Sequence, residues 1–260
     1  MRSDRTLLIK PSETRKSASA RLAVDGNRFL LILASLVVLA STILYVLTDT
    51  ARYYLTYAFG GDDLAYIANT AIFAAINFLL TLFFVLPLGF GLLVIAARIH
   101  KGESAVVGDV LYAFTDQKNY KRVLRFSWGT LWKLALFFAV ADLSTRALTW
   151  EYSFGTLLLQ VLLIGAEAFL FLLLCARRFF VPFLMCAEDC SYQDAVRTSK
   201  QMAGRYRSCA IRYVLDYLPW LLLSFVTIGM LFFADTLPRM LISYFELGQS
   251  NYEMITRSEE

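Results

Sequence analysis

Two ionisable side chains interrupt long apolar stretches of the sequence, and they are its strongest candidates for chemistry. Glu167 lies near the middle of the stretch 154–176, and Lys133 lies near the start of the stretch 126–149. An ionised side chain inside a bilayer costs about 2.5–3.5 kcal/mol even on lenient insertion scales. Because the two residues lie at similar depth on neighbouring segments, the sequence predicts a Lys133–Glu167 ion pair, with Gln160 two turns away on the face of Glu167.

The predicted pair has two interpretations. In the first, it lines a polar pathway for protons, ions or a small solute. In the second, which we favour, it is a buried interhelical pair that fixes the packing register, or Lys133 extends its ammonium towards the membrane surface. Asp142 and Asp216 are further polar candidates near segment ends. Each belongs to a set of opposite charges spaced four residues apart, as on one helix face: Asp142–Arg146, Arg212–Asp216 and Asp235–Arg239.

Residue types for catalysis and metal binding are sparse. The sequence has one histidine, His100, and four cysteines, none of them in a Cys-x-x-Cys pair. Zinc sites, haem sites and histidine-containing triads need more such residues, or an acid and a nucleophile near the histidine. Motifs for zinc proteases, serine hydrolases and P-loops are also missing. We therefore predict no catalytic residue, no metal site and no cofactor, and we expect a protein that is not an enzyme.

The elements that must position these residues are strongly apolar. Hydrophobic residues make up 58% of the chain and charged residues 18%, and the mean hydropathy is +0.56. A soluble domain does not need so much apolar material, because polar surface must still cover its core. The formal charge of +4 is too small to indicate nucleic-acid binding. The sequence therefore predicts an all-α integral membrane protein whose main partner is the lipid bilayer.

We predict one transmembrane domain, residues 29–247, between a basic cytosolic N-terminal tail (1–28) and a polar C-terminal tail (248–260). Its crossings are predicted at about 29–48, 64–97, 126–149, 154–176, 209–228 and 230–247. The first has 20 uncharged residues, about 30 Å as a helix, which is too long for a cleaved signal peptide. The last contains Asp235 and Arg239, so a bundle of five crossings is the alternative to six.

The second stretch is longer than a bilayer needs, with 34 uncharged residues. Pro87, with Gly89 and Gly91 close behind it, predicts a bend near the cytosolic end of this stretch. Asn69 and Asn77 are polar residues within it. We predict that they form hydrogen bonds to a neighbouring helix rather than contacts with a ligand.

The distribution of basic residues predicts the orientation. The N-terminal tail and the four successive loops carry seven, one, six, one and seven lysines and arginines. The positive-inside rule gives this alternation for a multi-pass protein of the cell membrane with a cytosolic N-terminus. The same orientation places the four cysteines towards the reducing side, where disulfides are uncommon.

The two long inner loops predict amphipathic helices on the membrane surface, at about 104–116 and 191–207. The first has one apolar helical face: Val107, Val110, Leu111 and Phe114. In the second, Ser191 and Asp194 form a capping box, and an apolar stripe follows: Tyr192, Ala195, Val196, Met202, Ala203 and Tyr206. Four cations of this loop are available to anionic lipid head groups: Arg197, Lys200, Arg205 and Arg207. These helices either dock lipid or a partner, or serve as elbows that anchor the next crossing.

A series of short motifs is spread over roughly residues 80–250. They are, in chain order, Gly102-Glu103, Asp109-Val110, Ala187-Glu188-Asp189, Ala195, Ser199, Gly204, Thr227-Ile228-Gly229, Pro238 and Tyr244-Phe245-Glu246. With these motifs the C-terminal two-thirds of the chain resembles a bacterial membrane family known as domain of unknown function 975. The resemblance implies a six-helix membrane bundle with both termini inside. It implies no activity.

These observations favour one class of function. We expect a non-enzymatic membrane protein whose basic cytosolic helices contact anionic lipids, a protein partner or a second copy of the chain, in membrane assembly, envelope homeostasis or regulation. The alternative is a small transporter or channel component that uses Glu167 and Lys133.

Overall fold

The structure is a computed structural model that describes residues 11–24, 26–41, 43–58, 63–129, 132–133, 176–226 and 231–259, with isolated positions at 155, 159, 162–163 and 165–167. Within these residues all regular structure is helical, which confirms the predicted all-α class at this level. The helices are α1 (Pro11–Leu22), α2 (Asn27–Ser41), α3 (Ile43–Ala58), α4 (Asp63–Leu80), α5 (Leu86–Lys101), α6 (Tyr112–Thr115), α7 (117–129), α8 (Val181–Cys186), α9 (Tyr192–Val226) and α10 (Leu237–Glu259). A 3-10 turn (Val107–Leu111) and two π-helical segments (Thr81–Val85 and Phe232–Thr236) complete the described part.

Two helical stretches in the described part are long and apolar enough to span a membrane. They are Asn27–Ala58, with 32 residues, and Ala68–Lys101, with 34 residues. They largely coincide with the first two predicted crossings. Most of the third and fourth predicted crossings, 126–149 and 154–176, lies outside the described residues, so the bundle of six crossings stays a prediction.

The hairpin of α3 and α4 is joined by polar side chains. The hydroxyl of Thr48 donates to Oδ1 of Asn77 at 2.6 Å, and the amide of Asn69 donates to the hydroxyl of Thr56 at 2.6 Å. Side-chain hydrogen bonds of this kind join helices where no apolar driving force can do so. The prediction that Asn69 and Asn77 bond to a neighbouring helix is confirmed.

The first π segment lies two residues before Pro87. A proline ring removes one helical N–H and pushes against the carbonyl four residues earlier, which here belongs to Phe83. The wider π turn relieves this contact, and the hydroxyl of Tyr120 in α7 donates to the Phe83 oxygen over a long 3.4 Å. The proline therefore interrupts the helix as its position predicted, and it also creates an attachment point for α7.

The second π segment repeats this arrangement before Pro238. The carbonyl four residues earlier belongs to Ala234, and Nε of Arg28 donates to it at 3.0 Å. Both π segments end one residue before a Leu-Pro pair, and both use a side chain from another helix to bond the displaced carbonyl. The same local arrangement, a π segment before a proline with a side-chain donor from another helix, therefore occurs twice in the described fold.

The core is built around α5, which contacts the 3-10 turn, α2, α6, α8 and α10. Gly91 of α5 faces the backbone of Val110 so closely that a methyl group on Gly91 would overlap the Val110 carbonyl. Gly102, in the left-handed conformation with φ of 75°, ends α5, and its N–H bonds to the oxygen of Ile99 at 3.1 Å. The helix predicted at 104–116 is instead the 3-10 turn followed by the single turn of α6.

Both predicted tails contain helix. Residues 11–22 form α1, which packs along α10, and α10 continues through the predicted polar tail to Glu259. The buried face of α1 is Thr14, Ala18 and Leu22, spaced four residues apart. The sequence analysis assigned both segments to tails because they are polar. A helix that is held mainly by ion pairs and hydrogen bonds has no long apolar run that would reveal it.

Gly91→Ala tests the close approach of α5 to the 3-10 turn. We expect the substitution to lower the free energy of unfolding by about 1–3 kcal/mol, because backbone must move to accept the methyl group. The measurement is the thermal unfolding midpoint of the full chain in detergent. Gly89→Ala is the control, since nothing lies within 4 Å of its new methyl group, and a gain of up to about 1 kcal/mol is expected from helix propensity. Equal midpoints for both variants would contradict the close approach.

Candidate functional site

The N-terminal segment is tied to the rest of the fold by three arginine–carboxylate pairs, which we call the terminal seam. Arg15 pairs with Asp216 of α9, and Arg21 pairs with Glu246 of α10. Arg28 binds Asp235 of the second π segment at 2.6 Å. Arg15 also lies over the ring of Tyr217, with its guanidinium carbon 5.6 Å from the ring centroid. The seam therefore uses charges that the sequence analysis assigned to a tail.

Glu246 is the most connected carboxylate of the terminal seam. Besides Arg21, it accepts a hydrogen bond of 3.1 Å from the hydroxyl of Ser17. The imidazole Nδ1 of His100, at the end of α5, lies 3.5 Å away. One carboxylate thus joins α1, α5 and α10, the first, middle and last parts of the described fold.

Asp235 joins two arginines. Arg28 and Arg239 approach the same oxygen at 2.6 and 2.9 Å, so the predicted Asp235–Arg239 pair is confirmed. Asp216, predicted to face Arg212, is bound by Arg15 of α1. A cavity of about 100 Å³ opens beside Asp235, and its walls are Ser19, Leu22, Ala23, Arg28, Asp235 and Arg239.

Two basic residues of the loop 98–125 bind the end of α8. Arg122 donates to the carbonyls of Met185 at 2.5 Å and Cys190 at 2.6 Å, and it pairs with Asp189. Lys101 donates to the carbonyl of Ala187. Cations suit this position because the carbonyls at a helix C-terminus have no partner in the helix and carry partial negative charge. Part of the basic surplus in this loop therefore serves the fold.

The start of α9 confirms part of one prediction and corrects another. The Asp194 N–H donates to the Ser191 hydroxyl at 3.3 Å, which is the first bond of the predicted capping box. The Asp194 carboxylate accepts from that same hydroxyl at 2.5 Å, whereas a full capping box would use the Ser191 N–H. The apolar stripe was expected to face lipid, but Ala195, Met202 and Ala203 are buried in the protein core. An amphipathic period does not distinguish these two surroundings, since both are apolar.

The cations predicted for lipid contact lie on α9. Arg197 and Lys200 are exposed, opposite the buried stripe. Arg205 and Arg207 belong to the same helix, and their side chains lie outside the described residues. A face with exposed cations can attract anions by charge, even where part of the apolar side of the same helix is buried in the protein.

The predicted intramembrane pair is described only in part. The ammonium of Lys133 lies 5.7 Å from the ring centroid of Trp132, and Glu167 has one buried carboxylate oxygen. Gln160 and Asp142 lie outside the described residues. The Lys133–Glu167 pair stays a prediction.

Sequence analysis missed one set of exposed cations. Lys118, Lys121 and Arg125 lie on the outer face of α7, and Trp128 follows on the same face. The sequence analysis counted these three cations only among the basic residues of the loop that predict the orientation. Their spacing of three and four residues was the signal that could have identified them as one surface.

Cysteine chemistry is disfavoured in the α8–α9 turn. Burial raises the pKa of the Cys186 and Cys190 thiols, so the reactive thiolate form is suppressed. Among the described residues no group of three His, Cys, Asp or Glu side chains is arranged to hold a metal ion.

The motif residues that carry the family resemblance hold α8 and α10 together. The Tyr244 hydroxyl donates to the Phe179 carbonyl at 2.6 Å and accepts the N–H of Phe183 at 3.1 Å, at the start of α8. Phe245 is fully buried, and Glu246 lies in the terminal seam. The chain matches no family model, no curated protein and no solved structure. The resemblance to domain of unknown function 975 stays a prediction.

Replacing Arg15, Arg21 and Arg28 together by Gln tests the terminal seam. We expect α1 to undock, because it loses its ion pairs to Asp216 and Glu246, the neighbouring Arg28–Asp235 pair is lost as well, and Thr14, Ala18 and Leu22 are its only buried positions among the described residues. The measurement is hydrogen–deuterium exchange of peptides from residues 11–22 in the full chain, which should speed up at least tenfold. Lys16→Gln is the control, because Lys16 is exposed on the same helix, and it should leave exchange unchanged. Slow exchange in the triple variant would contradict the role of the seam.

Proposed function

We propose that this chain is a non-enzymatic, multi-pass protein of the cell membrane with six crossings and a cytosolic N-terminus. Its basic cytosolic helices contact anionic lipid or a protein partner, in membrane assembly, envelope homeostasis or regulation. The observation that carries the proposal is a contrast in burial. The apolar side chains of α2 and of the α3–α4 hairpin are largely exposed, whereas the helices around α5 pack closely and carry the charged residues.

The apolar hairpin supports membrane insertion. No residue of α3 is buried, and only 18% of the most apolar window of Asn27–Ala58 is buried in the protein. Soluble proteins rarely expose contiguous apolar surface of this extent, because water disfavours it. Lipid removes that penalty. The exposed side chains along α2 and α3 include Leu36, Val37, Leu39, Ile43, Leu44, Val46 and Leu47.

The contact between α1 and α10 supports an even number of crossings, and so six rather than five. Arg21 of α1 pairs with Glu246 of α10, which places Glu246 on the same side of the membrane as the N-terminal tail. An even number of crossings returns the chain to its starting side. The antiparallel contact of α9 and α10, where the Tyr217 and Ser243 hydroxyls lie 2.7 Å apart, agrees with consecutive fifth and sixth segments.

The exposed cations support a contact role. Arg197 and Lys200 face outward, while the apolar side of their helix is buried in the core. Such a surface attracts phosphate head groups or an acidic protein by charge, with about 1 kcal/mol per cation near an anionic membrane.

Thiol labelling of single-cysteine variants tests the topology. We expect Tyr57→Cys, in the predicted outer loop, to react with an impermeant maleimide on intact cells. Lys16→Cys, Lys200→Cys and Glu253→Cys should react only after the membrane is opened, because the proposal places all three in the cytosol. Each position is exposed in the structure. Reaction of Glu253→Cys on intact cells would exclude six crossings, and release of the protein by alkaline carbonate would exclude membrane insertion.

The alternative function is transport through the Lys133–Glu167 region. It is favoured by the buried carboxylate oxygen of Glu167 within a stretch that is otherwise apolar. If this residue carries protons or ions, Glu167→Gln should reduce flux into proteoliposomes at least tenfold. Glu253→Gln, on the C-terminal helix, is the matched control. Absence of flux from the wild-type chain, or equal flux from both variants, would exclude transport.

A further inference from the structure

Helix α7 contacts the long apolar helix on both sides of the first π segment. Phe126 packs on Phe90 with ring centroids 5.6 Å apart, and Trp128 packs edge-on against Phe78 at 6.1 Å. Phe78 and Phe90 are twelve residues apart, about 18 Å along a helix. The first π segment lies between these two contacts, and there the Tyr120 hydroxyl donates to the Phe83 carbonyl.

The two sides of α7 differ sharply. Val123 and Ser127 are fully buried and mark the side that faces the protein. The opposite side carries four exposed residues at intervals of three, four and three, so they form one continuous face, which we call the α7 basic face: Lys118, Lys121, Arg125 and Trp128.

The cations of the α7 basic face form no ion pair within the part of the chain that the structure describes. Among the described residues no carboxylate forms an ion pair with Lys118, Lys121 or Arg125, whereas Arg122, between them in sequence, turns inward to Asp189. Like charges three and four residues apart on one helix repel each other. An external anion that bridges them would remove this repulsion.

Trp128 marks the border between this face and an apolar surface. Its ring is 54% exposed and rests on Phe78 of α4, where Ile72, Ile76 and Leu79 are also exposed. The surface thus runs from cations through a tryptophan to exposed apolar side chains. A lipid leaflet has the same order of phosphate groups, interface and acyl chains. An acidic protein or a nucleic acid would satisfy the cations and leave the apolar part uncovered.

We propose that the α7 basic face is a binding site for the phosphate head groups of anionic phospholipids, whose acyl chains cover the exposed side of α4. The site rests on the proposed function, because it requires the α3–α4 hairpin to be in the membrane. It differs from the α9 cations Arg197 and Lys200, which have no exposed apolar surface of the same kind beside them in the described part of the chain.

The test uses the full chain in nanodiscs of equal parts phosphatidylcholine and phosphatidylglycerol, with bromine on the acyl chains of one lipid at a time. Bromine quenches tryptophan fluorescence at short range, and comparison with Trp128→Phe isolates the signal of Trp128. We expect brominated phosphatidylglycerol to quench Trp128 at least about twofold more than brominated phosphatidylcholine, because each cation attracts anionic lipid. Raising the salt concentration should reduce this preference.

Three variants decide the result. Replacement of Lys118, Lys121 and Arg125 by Gln should abolish the preference. Replacement of Lys16, Arg197 and Lys200 by Gln removes the same charge elsewhere and should keep it. The charge-conserving set Lys118→Arg, Lys121→Arg and Arg125→Lys should also keep it, which separates loss of the site from loss of the fold.

Two outcomes would overturn the inference, and they are distinguishable from failure of the proposed function. Equal quenching by both lipids in the wild-type chain, or equal loss of preference in both Gln variants, would show that α7 selects no anionic lipid while the protein remains inserted. A chain that does not enter nanodiscs at all would contradict membrane insertion itself, and with it the site.

Discussion

A carbonyl in an apolar helix needs a hydrogen-bond partner, and this constraint decides where two parts of the fold attach. Pro87 and Pro238 each displace a carbonyl from its helix, and each carbonyl is bonded by a side chain from elsewhere. An unbonded carbonyl is costly where water cannot replace the missing donor, so a side-chain donor at such a position is favoured. Tyr120 thereby attaches α7 at the first π segment, and Arg28 attaches the start of α2 at the second. The α7 basic face adjoins the first point, and the Arg28–Asp235 pair of the terminal seam adjoins the second.

The described basic residues divide into two groups with different structural roles. One group is bonded inside the protein: the arginines of the terminal seam bind carboxylates, and Lys101 and Arg122 bind the end of α8. The other group faces outward on α7 and α9. A count of charges per loop describes orientation equally well for both groups, but only the second group is available to lipid or a partner.

What could be predicted from sequence was local. Three local predictions are present: Asn69 and Asn77 as interhelical donor and acceptor, the Ser191 hydroxyl as the N-terminal cap of α9, and the Asp235–Arg239 pair. The docking of α1 could not be predicted, because Arg15 and Asp216 are 201 residues apart and nothing in their spacing links them. Sequence also could not predict whether the apolar stripe of residues 191–207 faces lipid or the protein core, because both surroundings favour the same apolar period. The outward face of α7 required knowing which side of that helix meets the core.

The terminal seam also has a consequence for the order of assembly. A ribosome synthesises Arg15, Arg21 and Arg28 long before Asp216, Asp235 and Glu246, so these arginines lack their carboxylate partners during the first part of synthesis. In the proposed membrane topology, their charge would act in that interval to keep the N-terminus in the cytosol. Helix α1 can dock on α10 only after the last helix has been made. The same charges would then serve first as a topology signal and afterwards as the ion pairs of the terminal seam.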